Sequence, residues 1–447
     1  MNLFELQKLN EKYKCFITIN KNFEQEAELS KSTQKPLSKW YFSVKDNICT
    51  AGLQTTAGSK ILENYIPSFD ATAIKRIKNA GGIIIGKTAQ DEFGFGSFST
   101  NCAFGAPKNP HSLERVTGGS SGGGACATAL LEDNHIAIVE STGGSISCPA
   151  SFCGVIGLTP TYGRVSRFGL IDYASSLDKI GIMAKSIEKI ALTLQIIAGK
   201  DEKEATSSEL PVPNYLEKLK KPPKKFKICL PKEYVEGIDL KIVEIIKNTL
   251  KKISDFVEVE EISLPMTKYA LPVYYICAMA EASTNLAKFC GLRYGMESEK
   301  KDKKYDAYFT EIRSKYFGEE AKRRIILGTF IRSEGYERKF YLRAMKIRTL
   351  IINEFKNAFK KCDLIIAPTM PFIAPCFDEV EKLTPLQNYQ ADILTVAPNL
   401  AGIPMISLPV EKISGLPVGL HAMANFFNEE KLLQFAQLLE KEKLLVF

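Results

Sequence analysis

Residues 117–124 read TGGSSGGG, and seven of these eight are Gly or Ser. A helix-like stretch, ACATALLE, follows directly, then an apolar run, HIAIV, at 135–139, then a second Gly/Ser loop, ESTGGSISCPAS. Runs so poor in side chains cannot build a core; they serve as tight connections at the ends of regular elements. Two of them, one on either side of a single helix–strand unit, confine this region to an alternation of helices and strands whose loops are free to carry chemistry.

The rest of the chain repeats the alternation. Tyr41–Lys45 reads as a strand ending at Lys45, with Asp46 and Asn47 in the following loop. Asp70 is placed to cap a helix, ATAIKRIKNA, that stops at Gly81-Gly82, and the buried strand IIIG then leads to Lys87. Residues 200–226 are charged and Pro-containing and read as a surface connection. Beyond them KICLP, a helix from about Asp239 to Ile253 and FVEVEEISLP form a further β-α-β run. A long amphipathic helix is expected over 336–361, then a strand at DLIIAPTMP. Two more strands, MISLPV and PVGLHAM, turn at Ser414-Gly415, and a last helix spans roughly 428–441. The fold class is α/β with a mixed central β-sheet.

Composition narrows the function. The net charge of +8 is mildly basic, and no Arg block with interleaved aromatics marks a nucleic-acid motif. The charged start, MNLFELQKLNEKYK, lacks the apolar region of a signal peptide, and no stretch approaches the ~18 apolar residues of a membrane span. A cytoplasmic location is expected. The 11 cysteines include no CxxC pair and read as reduced, buried thiols. Only three histidines occur, His111, His135 and His421, without ligand spacing, so no histidine–metal site is expected.

The loops admit three readings. A phosphate cradle wants Lys and Ser/Thr after the last glycine, and here Gly124 runs into Ala125-Cys126. A nucleophile elbow matches Gly118-Gly119-Ser120-Ser121-Gly122, with His421 or His135 as its base. The third reading uses both loops: one serine attacks, and a second passes its proton to a lysine. Thr142-Gly143-Gly144-Ser145 gives the tight backbone whose N–H groups can point at a substrate oxygen. Lys45, ending an apolar strand, can lose its charge by burial, and a hydroxyl between the two both donates and accepts. Strand-end lysines are ordinarily solvated and Gly/Ser loops ordinarily turns, so residue patterns alone leave these readings open.

VKDNI (44–48), TGGSSGGG (117–124) and STGGSISCPASFCGVIGLTPTYGRVSRFGLIDYASSLDKIG (141–181) resemble the amidase signature family. LPKEY (230–234), SLPMTKYALPVYYICAMAEASTNLAKFCGLRYG (263–295), AKRRIILGTFIRSEGY (321–336) and PLQNYQADILTVAPNLAGIPMISLPV (385–410) are similar to its branch of A subunits of glutamyl-tRNA(Gln)/aspartyl-tRNA(Asn) amidotransferases. The resemblance implies one amidase domain over 1–447, its sheet covered by helices on both faces. The catalytic core would lie at about 40–200, and a glutamine-clamp and partner-facing part at about 226–435.

It implies Ser145 as nucleophile, Ser120 as the cis-peptide serine, Lys45 as base, an oxyanion hole at Thr142, Gly143 and Gly144, and a glutamine clamp of Tyr274, Arg324 and Asp392. The implied reaction is glutamine hydrolysis, the ammonia passing to a B subunit, with mischarged tRNA and a C subunit in the assembly. ATP and Mg²⁺ would be used by the partner, with no cofactor in this chain. The sequence departs from the family at Ser141, where Asp is common, at Ser147, where Arg is common, and in the 25-residue spacing from Ser120 to Ser145, one longer than usual. A stand-alone amidase for another amide and a non-catalytic scaffold are the competing readings.

Overall fold

The computed structural model describes residues 1–32, 34–299 and 303–447. Its strands in chain order are β1 (Phe16–Ile19), β2 (Tyr41–Lys45), β3 (Ile83–Thr88), β4 (Lys108–Asn109), β5 (Ser112–Val116), β6 (His135–Ser141), β7 (Ile156–Thr159), β8 (Lys179–Ala184), β9 (Phe226–Pro231), β10 (Val257–Ile262), β11 (Leu364–Pro368), β12 (Met405–Ile413) and β13 (Leu416–Ala424). β4 and β5 pair separately. The others form one 11-stranded sheet in the order β1-β3-β2-β6-β8-β7-β12-β13-β11-β9-β10. The sheet is mixed: β2 runs parallel to β3 and β6, whereas β8 is antiparallel to β6 and β7.

Alternating side chains send each strand into two cores. On one face Phe42, Val44, Ile136, Ile138, Ile180 and Ile182 pack with helices Thr72–Asn79 and Ile187–Ile197. On the other, Ala137, Val139 and Met183 meet helices Gly122–Leu130 and Ser147–Cys153, while Ile365, Met405 and Met423 meet Ala270–Asn285 and Tyr341–Ala358. Helices therefore cover both faces. The pairing of β12 with β7 makes the strands after residue 226 continuous with those before 200. Among the described residues no helix is long and apolar enough to cross a membrane.

Three local expectations change. Asp70 does not cap helix Thr72–Asn79, whose N-cap is Ala71 without a side-chain bond. Its carboxylate accepts from Ala51 N at 2.8 Å and pairs with Lys78 at 2.8 Å, tying down the loop after β2. The helix expected over 336–361 begins at Tyr341, because Gly335 takes a left-handed φ of 82° and residues 333–340 turn. The 200–226 connection is not wholly at the surface: its short helix Tyr215–Leu219 buries Tyr215 completely, with the Tyr215 hydroxyl 3.4 Å from Glu429 Oε2.

Candidate active site

β2 and β6 are parallel neighbours, so their C-terminal ends emerge at the same edge of the sheet. Lys45 closes β2 there and is fully buried, as an apolar strand end dictates. Its Nζ lies 2.7 Å from Ser120 Oγ, 3.0 Å from the Glu140 carbonyl and 2.8 Å from Glu140 Oε2. An ammonium would donate all three bonds. A neutral amine would donate the two to Glu140 and accept the Ser120 hydroxyl with its lone pair. The constellation therefore accommodates Lys45 with or without its proton.

Ser120 follows a cis Gly119–Ser120 peptide, just before helix Gly122–Leu130. A Cβ at Gly119 would sit 2.2 Å from Asp91 Oδ2, so only glycine fits that close approach. Asp91 organises the loop from beneath, accepting from Ser99 N and Asn101 N, both at 2.9 Å, while its own N–H donates to the Ser120 carbonyl at 3.2 Å. Burial raises the Asp91 carboxyl to about 6.

The second loop leaves β6 and enters helix Ser147–Cys153. Among the described residues, no acceptor is found for the backbone N–H groups of Thr142, Gly143, Gly144 and Ser145, nor a partner for the Ser145 hydroxyl. Buried donors in this number are unusual unless something else receives them. The loop is held by its carbonyls instead: Ser141 Oγ donates to Gly143 O at 2.9 Å, and Asn399 Nδ2 donates to the same oxygen. Ser145 itself is 6% exposed.

Tyr274 and Asp392 stand against this loop. A Cβ at Gly143 would lie 2.7 Å from the Tyr274 hydroxyl, and one at Gly144 would lie 3.2 Å from Asp392 Oδ1. Asp392 Oδ2 accepts from Tyr275 at 2.7 Å and from Ser97 at 2.9 Å, and burial holds its carboxyl above the usual range. Arg324, on helix Glu319–Arg332, is buried. Its Nε donates to Glu320 Oε1 at 2.8 Å and its Nη1 to the Tyr173 hydroxyl. Its guanidinium lies 5.0–5.5 Å from the ring centres of Phe95, Tyr173, Tyr275 and Tyr389. A cavity of about 530 Å³ opens beside it, lined by Ser97, Asn101, Glu320, Arg324 and Tyr389.

The histidines stand elsewhere. His135 Nε2 is 3.0 Å from Ser43 Oγ and His421 Nε2 is 3.3 Å from Ser147 Oγ; burial lowers both rings to about 3. His111 Nε2 lies 3.1 Å from the Cys153 carbonyl. None of these contacts joins Ser120, so the elbow reading finds no base in this geometry.

Sequence reasoning missed Glu140, Ser97, Tyr275 and Glu320. Glu320 was recoverable, since it stands four residues before Arg324 on one helix. Ser97 and Tyr275 reach Asp392 only through the fold. At the departures, Ser141 satisfies Gly143 O and Ser147 meets His421, so replacing an acid and a base by two hydroxyls leaves no lone charge at either position.

The family model for amidases matches residues 3–433. The A subunit of glutamyl-tRNA(Gln) amidotransferase from Heliobacterium modesticaldum is 45% identical over 445 residues, covering 98% of this chain and 91% of the relative. Its counterpart from Geobacillus kaustophilus is 46% identical over 446 residues, again 98% and 91%. The crystal structure of the glutamyl-tRNA(Gln) amidotransferase A subunit from Thermotoga maritima superposes with a TM-score of 0.82 at 36% identity, covering 98% of this chain and 90% of that one.

Proposed function

Because this chain belongs to the amidase family, the amidase signature enzymes, we propose that it is the glutaminase component, the A subunit, of a tRNA-dependent amidotransferase. The observation that carries the chemistry is the buried 2.7 Å contact between Lys45 Nζ and Ser120 Oγ, next to a serine loop with free N–H groups. Ser145 Oγ attacks the side-chain amide carbon of glutamine. Its proton passes to Ser120 Oγ as the Ser120 proton passes to the Lys45 amine. The carbonyl oxygen becomes an oxyanion held by the N–H groups of Thr142, Gly143 and Gly144. The C–N bond then breaks, the proton returns through Ser120 to the leaving nitrogen, and ammonia departs. Water, activated by the same relay, releases glutamate from Ser145.

Arg324 pairs with the α-carboxylate of glutamine, Asp392 with its α-ammonium, and Tyr274 closes the pocket over Gly143. Such a clamp suits an amino acid rather than a plain aliphatic amide. The ammonia is consumed by a partner B subunit, with a C subunit in the assembly, where ATP and Mg²⁺ activate mischarged Glu-tRNA(Gln) or Asp-tRNA(Asn). The test is ammonia release from glutamine by the chain co-expressed with its partner subunits, compared with Ser145→Ala. Glutamine hydrolysis that disappears in the variant supports the reading. Hydrolysis of simple amides with none of glutamine overturns it in favour of a stand-alone amidase.

A further inference from the structure

Thr142 stands between two carboxyl groups. Its Oγ1 lies 2.8 Å from Glu140 Oε1 and 2.8 Å from Asp178 Oδ1, and all three residues are buried. A threonine hydroxyl has one proton and can donate to only one of them. The other contact is a hydrogen bond only if a carboxyl proton donates to the threonine lone pair; two bare carboxylates on one hydroxyl would leave a repulsion that burial does not relieve. Beyond Glu140 stands Lys45: Oε2 accepts from Lys45 Nζ at 2.8 Å and from Asn47 Nδ2 at 3.2 Å. Beyond Asp178 stands backbone: Tyr173 N donates to Oδ2 at 2.9 Å, and Ala174 N reaches both oxygens at 3.0 and 3.1 Å.

We propose that Glu140, Thr142 and Asp178 extend the Ser145–Ser120–Lys45 relay as a chain that shares one proton between its two carboxyls, with Glu140 a positioning residue that balances the charge of Lys45. This rests on the function proposed above. While Lys45 is a neutral amine, Glu140 Oε1 keeps the proton and donates it to Thr142 Oγ1, and the Thr142 proton points at the Asp178 carboxylate. When Lys45 takes the proton from Ser120, the Glu140 proton moves to Thr142 Oγ1 and the Thr142 proton moves to Asp178 Oδ1. The anionic oxygen then faces the new ammonium. No proton leaves the chain and its charge of −1 is unchanged; only the position of that charge moves, and it reverses when ammonia departs.

The surrounding groups fit this arrangement. Burial, and Glu140 beside it, hold the Asp178 carboxyl well above the usual range, as the state with the proton on Asp178 and the anionic oxygen facing Lys45 requires. Lys179, next on β8, is lowered to about 7 by burial, and its Nζ donates to the Leu177 carbonyl at 2.8 Å rather than to either carboxyl of the chain. Asp172 and Arg167 lie within electrostatic reach of Asp178, Asp91 within reach of Lys45, and Arg167 and Arg348 within reach of Lys179.

The experiment is the pH profile of glutamine hydrolysis by the co-expressed assembly carrying Glu140→Gln, Thr142→Val or Thr142→Ser. Glu140→Gln takes the adjacent anion from the ammonium, so kcat falls about tenfold or more, the scale of one lost hydrogen bond to a charged group. KM changes little, and the acid limb moves to lower pH by about one unit. Thr142→Val, which keeps both carboxyls and breaks only the bridge, also lowers kcat with KM kept, whereas Thr142→Ser retains the parent limb. If Glu140→Gln does not fold, Thr142→Val carries the test. Unchanged kcat and limb in these variants, or a limb displaced to higher pH, overturns the proposal. Undiminished hydrolysis by Ser145→Ala would instead overturn the proposed function, so the two failures are separable.

Discussion

Lys45 Nζ and Glu140 Oε2 form an ion pair of 2.8 Å in which the lysine side chain is 0% exposed and the glutamate 1%. When Lys45 carries its proton and the anionic oxygen of Glu140 faces it, a pair so placed is costly to break from one side, because the remaining charge stays buried without a partner. Lys45→Ala is expected to abolish glutamine hydrolysis and to lower folding stability by about 3–5 kcal/mol. Adding Glu140→Gln to Lys45→Ala should recover most of that stability and none of the activity. Denaturant melts of the two single variants and the double variant measure the coupling directly.

Arg324 meets Tyr173 and Glu320 through the donors of a planar fork, with four aromatic rings around it. Lysine keeps the charge but not the fork. Arg324→Lys is expected to raise KM for glutamine about 10- to 100-fold, the value of a charge-assisted bond, with a smaller change in kcat. Steady-state kinetics with glutamine and with a neutral short-chain amide decide the point: loss confined to glutamine supports α-carboxylate recognition, and equal loss on both substrates contradicts it.

Gly143 leaves no room for a side chain, because a Cβ there meets the Tyr274 hydroxyl at 2.7 Å. Gly143→Ala should displace either Tyr274 or the N–H groups before Ser145. The expected result is a loss of kcat of about 10²–10³-fold, as for removal of an oxyanion donor, with a stability cost of about 1–3 kcal/mol. Near-parent kcat in this variant would show that the backbone of this loop does not hold the oxyanion.

Glu92 joins the first half of the site to the helix that carries Arg324: its Oε2 accepts from Gly318 N at 2.9 Å, at the start of helix Glu319–Arg332. Burial raises its carboxyl from 4.5 to about 7. A carboxyl raised on folding binds its proton more tightly in the folded chain. Its contribution is therefore fully present below about pH 4.5 and is lost as pH rises through about 7, amounting to about 3 kcal/mol. Glu92→Gln, neutral at every pH, should flatten that part of the stability–pH curve. Thermal melts between pH 4.5 and 8 test it, and an unchanged slope would assign the effect to other groups.

Much of this fold was legible locally. Tyr41–Lys45, the helix after TGGSSGGG and the paired strands around Ser414-Gly415 follow from apolar runs and glycine punctuation, which act over a few residues. Asp70 misled for the same reason: a cap is a short-range preference, and a longer-range claim from Ala51 and Lys78 took its carboxylate. Tyr215 misled because a charged, Pro-containing context conceals a single aromatic that docks beside Glu429.

The sequence by itself determined the tight loops, the strand that ends in Lys45, and the shortage of histidines that turns attention to serine and lysine. Those properties reside in single residues and their neighbours. Only the tertiary structure decided what those residues touch. Setting β2 parallel beside β6 brings Glu140 to Lys45 across 95 positions, and setting β8 antiparallel to β6 brings Asp178 to Thr142 across 36. Strand order is settled by the burial of whole faces rather than by any local preference, so the electrostatic partner of Lys45 could be read only once the sheet was assembled.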